Sequence, residues 1–142
     1  MVEIIHRVKM RATTMQVFHA LLERSALGGW WTRGSRAEPA VGTLAELRAG
    51  DGDEVARLRI AELEADAHVA WRCIDGPPDW IGTAISIDLA AEGDHTVVRL
   101  RHFDWREVTD VMGYCSTQWA GLLFSMKSLL ETPEPEDVYI GA

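Results

Sequence analysis

The chain has 142 residues, 47% of them hydrophobic and 25% charged, which is enough for one domain over residues 1–142 that buries roughly two-thirds of its unfolded surface. Its 14 Lys and Arg against 22 Asp and Glu leave a net charge of −8, and no basic block reverses that locally, so neither nucleic acid nor an anionic membrane surface is an expected partner. No apolar run approaches the ~20 residues of a membrane span, the first residues alternate instead of forming a signal-peptide block, and the two cysteines, Cys73 and Cys115, form no CxxC, which together point to a cytoplasmic protein.

Val2 to Met10 alternates and is rich in β-branched residues, so an opening strand is expected. A helix should follow at once. Thr13 and Gln16 have the spacing of a capping box, and Met15, Phe18, Leu21 and Leu22 then recur at helical intervals. Ala26 to Trp31 reads as a short second helix that ends in glycine and presents two indoles. From Gly42 to Phe103 the pattern changes to short alternating runs separated by turn residues, as in an antiparallel meander. The expected strands are 43–48, 54–63, 68–74, 81–90 and 96–103, which with the first make six, within an expected total of six or seven.

Strand phase separates the two faces of that sheet, because successive side chains point to opposite sides. Leu58 and Ile60, Val69, Trp71 and Cys73, Thr83, Ile85 and Ile87, and Val98, Leu100 and His102 share one face. The other carries Arg57, Arg59, His68, Arg72, Ser86, Asp88, Arg99 and Arg101. A sheet apolar on one side must pack something there, and the last helix supplies it. From about Trp105 to Glu131, with Asp104 and Glu107 as its N-terminal box, apolar residues recur at three and four: Val108, Val111, Met112, Cys115, Trp119, Leu122, Leu123, Met126, Leu129 and Leu130. Pro133 and Pro135 end it, and the acidic tail 132–142 is expected to be loosely held unless Val138, Tyr139 and Ile140 dock.

This order resembles the helix-grip arrangement of the START-related SRPBCC superfamily, and within it the family named for the activator of the heat-shock protein 90 ATPase. Val17 to Leu21 followed by Trp30-Trp31 resembles that family's opening helix and double Trp; Val69-Ala70-Trp71 resembles its strand closing in Trp, and Gly82 to Leu89 the next strand. His102-Phe103-Asp104-Trp105 is similar to the family's His-x-Gly-aromatic segment, with Asp104 where Gly is frequent, and Trp119 to Leu130 resembles its helical stripe. The likeness spans about residues 3–131, although segment 32–41 is short and shows no strand. It implies an α+β helix-grip fold: a curved six- to seven-stranded antiparallel sheet around a long C-terminal helix, with two short helices after the first strand and a cavity between sheet and helix.

Six of the eleven aromatic residues are Trp, a side chain that suits both ordinary cores and cavities for flat or lipidic ligands. Trp71, Trp80, Ile85, Ile87, Leu100, His102, Met112, Cys115 and Trp119 are the expected lining of such a cavity, and the plain alternative for each is a filled core. His102 lies on the inward phase, where an imidazole needs partners for both nitrogens. It is either a structural histidine bonded to backbone or to a Trp N–H, or the polar anchor of a ligand; general acid or base work ranks below both. His6, His19, His68, His95 and His102 are scattered and form no metal-ligand spacing. No nucleophile elbow occurs, and the Gly28-Gly29 and Gly50-x-Gly52 pairs are turn glycines, so neither a metal, a catalytic residue nor a cofactor is expected.

The leading expectation is therefore binding of a hydrophobic small molecule, with no chemistry required. A chaperone-related protein-interaction module, by family resemblance, and a polyketide cyclase- or hydratase-like enzyme are the alternatives. Exposed sheet edges and Trp30-Trp31 also make a homodimer possible.

Overall fold

The computed structural model describes residues 2–22, 41–42, 44–48 and 54–131. Strand β1 (Val2–Met10) leads into helix α1 (Thr14–Leu22), followed by β2 (Leu44–Arg48), β3 (Glu54–Glu64), β4 (His68–Asp75), β5 (Ala84–Glu92) and β6 (His95–Trp105), and the chain closes with helix α2 (Asp110–Glu131). All neighbouring strands are antiparallel and lie in the order β1-β6-β5-β4-β3-β2. The described residues thus form a six-stranded sheet in an α+β helix-grip arrangement. The expected second helix and Trp30-Trp31 fall outside the described residues.

Sheet phase follows the sequence alternation. A row of inward side chains crosses five strands as Ile60, Trp71, Ile85, His102 and Ile4. Met112, Cys115, Trp119, Leu123 and Met126 of α2 are buried, at the three- and four-residue spacing of one helical face. Val111 lies off that face and Val108 precedes the helix; both are exposed, as is Met15 of α1, whose core side is instead Val17, Ala20, Leu21 and Leu22. The capping box forms as expected: the Gln16 backbone N–H donates to Thr13 Oγ1 at 3.1 Å, and the Thr13 N–H donates to Gln16 Oε1 at 2.8 Å.

Two element starts differ from the sequence reading by three residues or more. Strand β5 begins at Ala84 because Trp80 to Gly82 are a turn, with the Thr83 N–H donating to the Trp80 carbonyl at 2.9 Å and Gly82 at φ +90°. Helix α2 begins at Asp110 because β6 runs on to Trp105. Asp104 is consequently no helix cap. It sits at φ +68° where the β1–β6 register slips, and its carboxylate accepts from Arg72 at 2.8 Å. Thr109 caps instead, its hydroxyl accepting from the Met112 N–H at 3.4 Å.

Candidate functional site between the sheet and the long helix

Three elements deliver side chains to one point. β6 supplies His102 on its inward phase and Trp105 at its end, the turn before β5 supplies Trp80 and Thr83, and α2 supplies Cys115 and Trp119 one helical turn apart. The Trp119 indole N–H donates to His102 Nδ1 at 3.1 Å. An indole N–H can only donate, so Nδ1 is the acceptor and the imidazole proton is on Nε2. That Nε2–H donates to Thr83 Oγ1 at 2.8 Å, and the Thr83 hydroxyl donates onward to the Trp80 carbonyl at 2.6 Å. Both nitrogens are occupied. Burial of the ring pushes the His102 pKa down to about 3.

Indoles enclose this imidazole. The Trp105 ring centroid is 4.5 Å from that of His102, and its N–H donates to the His102 carbonyl at 3.0 Å. Trp80 meets His102 edge-on at 5.0 Å and stacks on Trp119 at 6.4 Å, within the range of favourable ring pairs. The Trp80 N–H is satisfied by Cys115 Sγ at 2.9 Å. Burial raises the Cys115 thiol pKa despite that donated bond, and raises Cys73 to about 11.

Among the lining residues expected from sequence, Trp80, His102, Cys115 and Trp119 touch one another directly. Trp71 and Ile85 continue the His102 row across the sheet, and Ile87 and Leu100 pair with each other one row along. Met112 lies to one flank, in a groove of about 330 Å³ between β1 and α2 that also includes Ile4, Ile5, Val108, Gly113 and Ser116. All nine are at most 8% exposed. A further groove of about 320 Å³ runs between α1 and the end of α2, over Met15, Ala20, Leu129 and Leu130.

Two members of the cluster escaped the sequence reading. Thr83 was legible as the one polar residue on the inward phase of its run. Trp105 was not: the residue inserted at the bulge shifts it off the alternation of Val98, Leu100 and His102, so it read as helix.

The model of the family described as activator of Hsp90 ATPase homolog 1-like protein matches residues 11–131. The chain belongs to this family. No curated protein matches it. Among solved structures, the Aha1 dimer from Colwellia psychrerythraea is similar at 32% identity and TM-score 0.85, covering 94% of this chain and 99% of that one. Protein MLL2253 from Mesorhizobium loti superposes at TM-score 0.81 with 14% identity, over 94% of this chain and 99% of that one. DynU16, from the dynemicin biosynthetic locus, superposes at TM-score 0.77 with 16% identity, over 94% of this chain and 48% of its own length. At those identities MLL2253 and DynU16 show the fold alone. No helix among the described residues is long and apolar enough to cross a membrane.

Proposed function

We propose that this family member binds a hydrophobic small molecule, lipid-like or aromatic, between the sheet and α2, with His102 as the polar anchor and no chemistry required. The reading rests on one observation: indole surfaces gather around a neutral imidazole, and one of them, Trp80, is carried by a turn instead of a strand or helix. Trp80 is held from α2 by an N–H to sulfur bond and a ring stack. A flat ligand that displaces Trp80 gains the Trp119 face and the neighbourhood of Thr83 and His102, while Trp71, Ile85, Ile87, Leu100 and Met112 supply the apolar surround. A cyclase-like reaction would require His102 to exchange a proton near neutrality, which its burial and two hydrogen bonds oppose.

Comparing native and denaturing mass spectra of the protein purified from its own host tests this. Binding predicts a reproducible excess mass that leaves on unfolding, and its loss in Leu100→Trp and Cys115→Trp variants that keep the wild-type circular dichroism spectrum. Excess mass unchanged in both variants overturns the site, and bare mass in every preparation overturns the ligand.

Family membership favours a second reading, a protein-interaction module that engages a chaperone. A pull-down at low salt that returns no chaperone counts against it. We propose in addition that the chain self-associates, as the 32% identical Colwellia protein was solved as a dimer.

A further inference from the structure

Among the described residues β1 is an edge of the sheet, paired on one side only, with β6. Its nine residues, Val2-Glu3-Ile4-Ile5-His6-Arg7-Val8-Lys9-Met10, match their own antiparallel copy when the two are centred on His6. In that register Glu3 of one strand faces Lys9 of the other, Ile4 faces Val8, and the apolar Ile5 faces the stem of Arg7. Glu3 and Lys9 share the outer face, and Ile4 and Val8 share the inner one, so each pair meets on a single side of the sheet. We propose that a second copy of this chain docks on β1 in this register, joining two sheets across a two-fold axis at His6. The inference rests on the self-association proposed above and names its surface.

Charge supports the register. Within one chain Arg101 donates to Glu3 at 2.9 Å, and Lys9 donates to Glu92 at 2.6 Å. Setting Glu3 beside the second copy's Lys9 joins the two pairs into a row of alternating sign, Arg101, Glu3, Lys9, Glu92, repeated by symmetry on the other side of the axis. A one-residue slip would set inner residues of one copy beside outer residues of the other, and the two-residue slip centred on Arg7 would set the two Arg7 side chains face to face. The surface beside β1 is also open: Ile5 is 48% and Val108 73% exposed, and α2 leaves the 330 Å³ groove over Ile4, with no atom within 4 Å of where a Gly113 Cβ would stand. In the docked pair Val8 of the second copy enters beside Ile4 and covers that groove. Among the described residues the other edge, β2, offers five residues.

Sedimentation velocity of the full chain with Glu3→Lys and Lys9→Glu variants decides the matter. The wild type is expected at twice the chain mass of 15.8 kDa. Each single reversal places like charges at two symmetric positions and should weaken association on the order of tenfold or more. An equimolar mixture of the two variants restores opposite charges at both positions and should recover the dimer, which also proves both variants folded. A monomeric wild type overturns self-association itself. A dimeric wild type whose single variants associate equally well overturns only the β1 surface, and single variants that dissociate but fail to recover on mixing overturn the register.

Discussion

Trp119 and His102 hold each other in one arrangement, the indole N–H donating to Nδ1 at 3.1 Å and thereby leaving the imidazole proton on Nε2 for Thr83. A charged imidazole would carry a proton on Nδ1 and could no longer accept from Trp119. The folded state therefore binds His102 only in its neutral form, consistent with a pKa pushed down to about 3 by burial. Above the unfolded value of ~6.5 neither state takes the proton and the full stability is present. As pH falls below it, the unfolded chain gains a proton that the folded chain refuses, and stability drops by about 1.4 kcal/mol per pH unit until the folded pKa is reached. His102→Phe removes this dependence but leaves the Trp119 N–H buried without its acceptor, at a cost of about 1–3 kcal/mol near pH 7.5. Urea midpoints of both proteins at pH 7.5, 5.5 and 4.5 should show the gap between them closing as pH falls. A gap that stays constant would refute the assignment.

Much of this arrangement was legible beforehand, because alternation is a direct consequence of strand geometry. Ile85, Leu100 and His102 faced inward where their phase put them, and the α2 stripe located Trp119 above them. What escaped were the places where a single residue breaks a period. The residue inserted near Asp104 moved Trp105 from an apparent helix onto the His102 ring, and the turn at Trp80 to Gly82 shortened β5 while carrying an indole to Cys115. Bulges and turns of this kind are set by backbone hydrogen bonds between segments distant in sequence, and no local window contains them.

The two thiols should be inert in the folded protein. Cys73, raised by burial to about 11, forms too little thiolate at pH 8 to react, about a hundredfold less than an ordinary thiol, and its burial slows it further. Cys115 is raised in the same direction by burial and is occupied as the acceptor of the Trp80 N–H. An aromatic disulfide reagent at pH 8 should titrate no thiol natively and two after unfolding in urea. Rapid native reaction at Cys115 would show that Trp80 opens on its turn even without a ligand to displace it.

On the outer face His68 bridges three strands, with Nε2 2.8 Å from Glu62 of β3 and Nδ1 2.7 Å from Asp88 of β5. Its partial burial disfavours the charge, but the two carboxylates outweigh that and raise its pKa above 6.5. Here the folded state prefers the protonated ring. The contribution is complete below the unfolded value and is lost as pH rises through the folded one, the opposite sign to His102. Proton NMR titration should place His68 above 6.5, and His68→Gln should flatten the decline in stability as pH rises above 6.5. A titration midpoint at or below 6.5 would contradict the bridge.

Asp104 tests whether the bulge or the ion pair matters more. At φ +68° it occupies a conformation that costs a residue with a side chain about 1 kcal/mol or more, and that glycine adopts freely. Against this, its carboxylate accepts from Arg72 at 2.8 Å, but both side chains are about a third or more exposed, so that pair is worth at most about 1 kcal/mol. Asp104→Gly should therefore leave stability unchanged or raise it by up to about 1 kcal/mol, having exchanged a weak pair for a relaxed backbone. Asp104→Ala loses the pair and keeps the strain, so it should cost up to about 1 kcal/mol. Because this bulge aims Trp105 at His102, the alanine variant should also weaken the near-ultraviolet circular dichroism of the indole cluster, while the glycine variant preserves it. Thermal midpoints that rank alanine level with or above glycine would mean that the positive φ is not the constraint, and that the Trp105 position is held by packing against His102 alone.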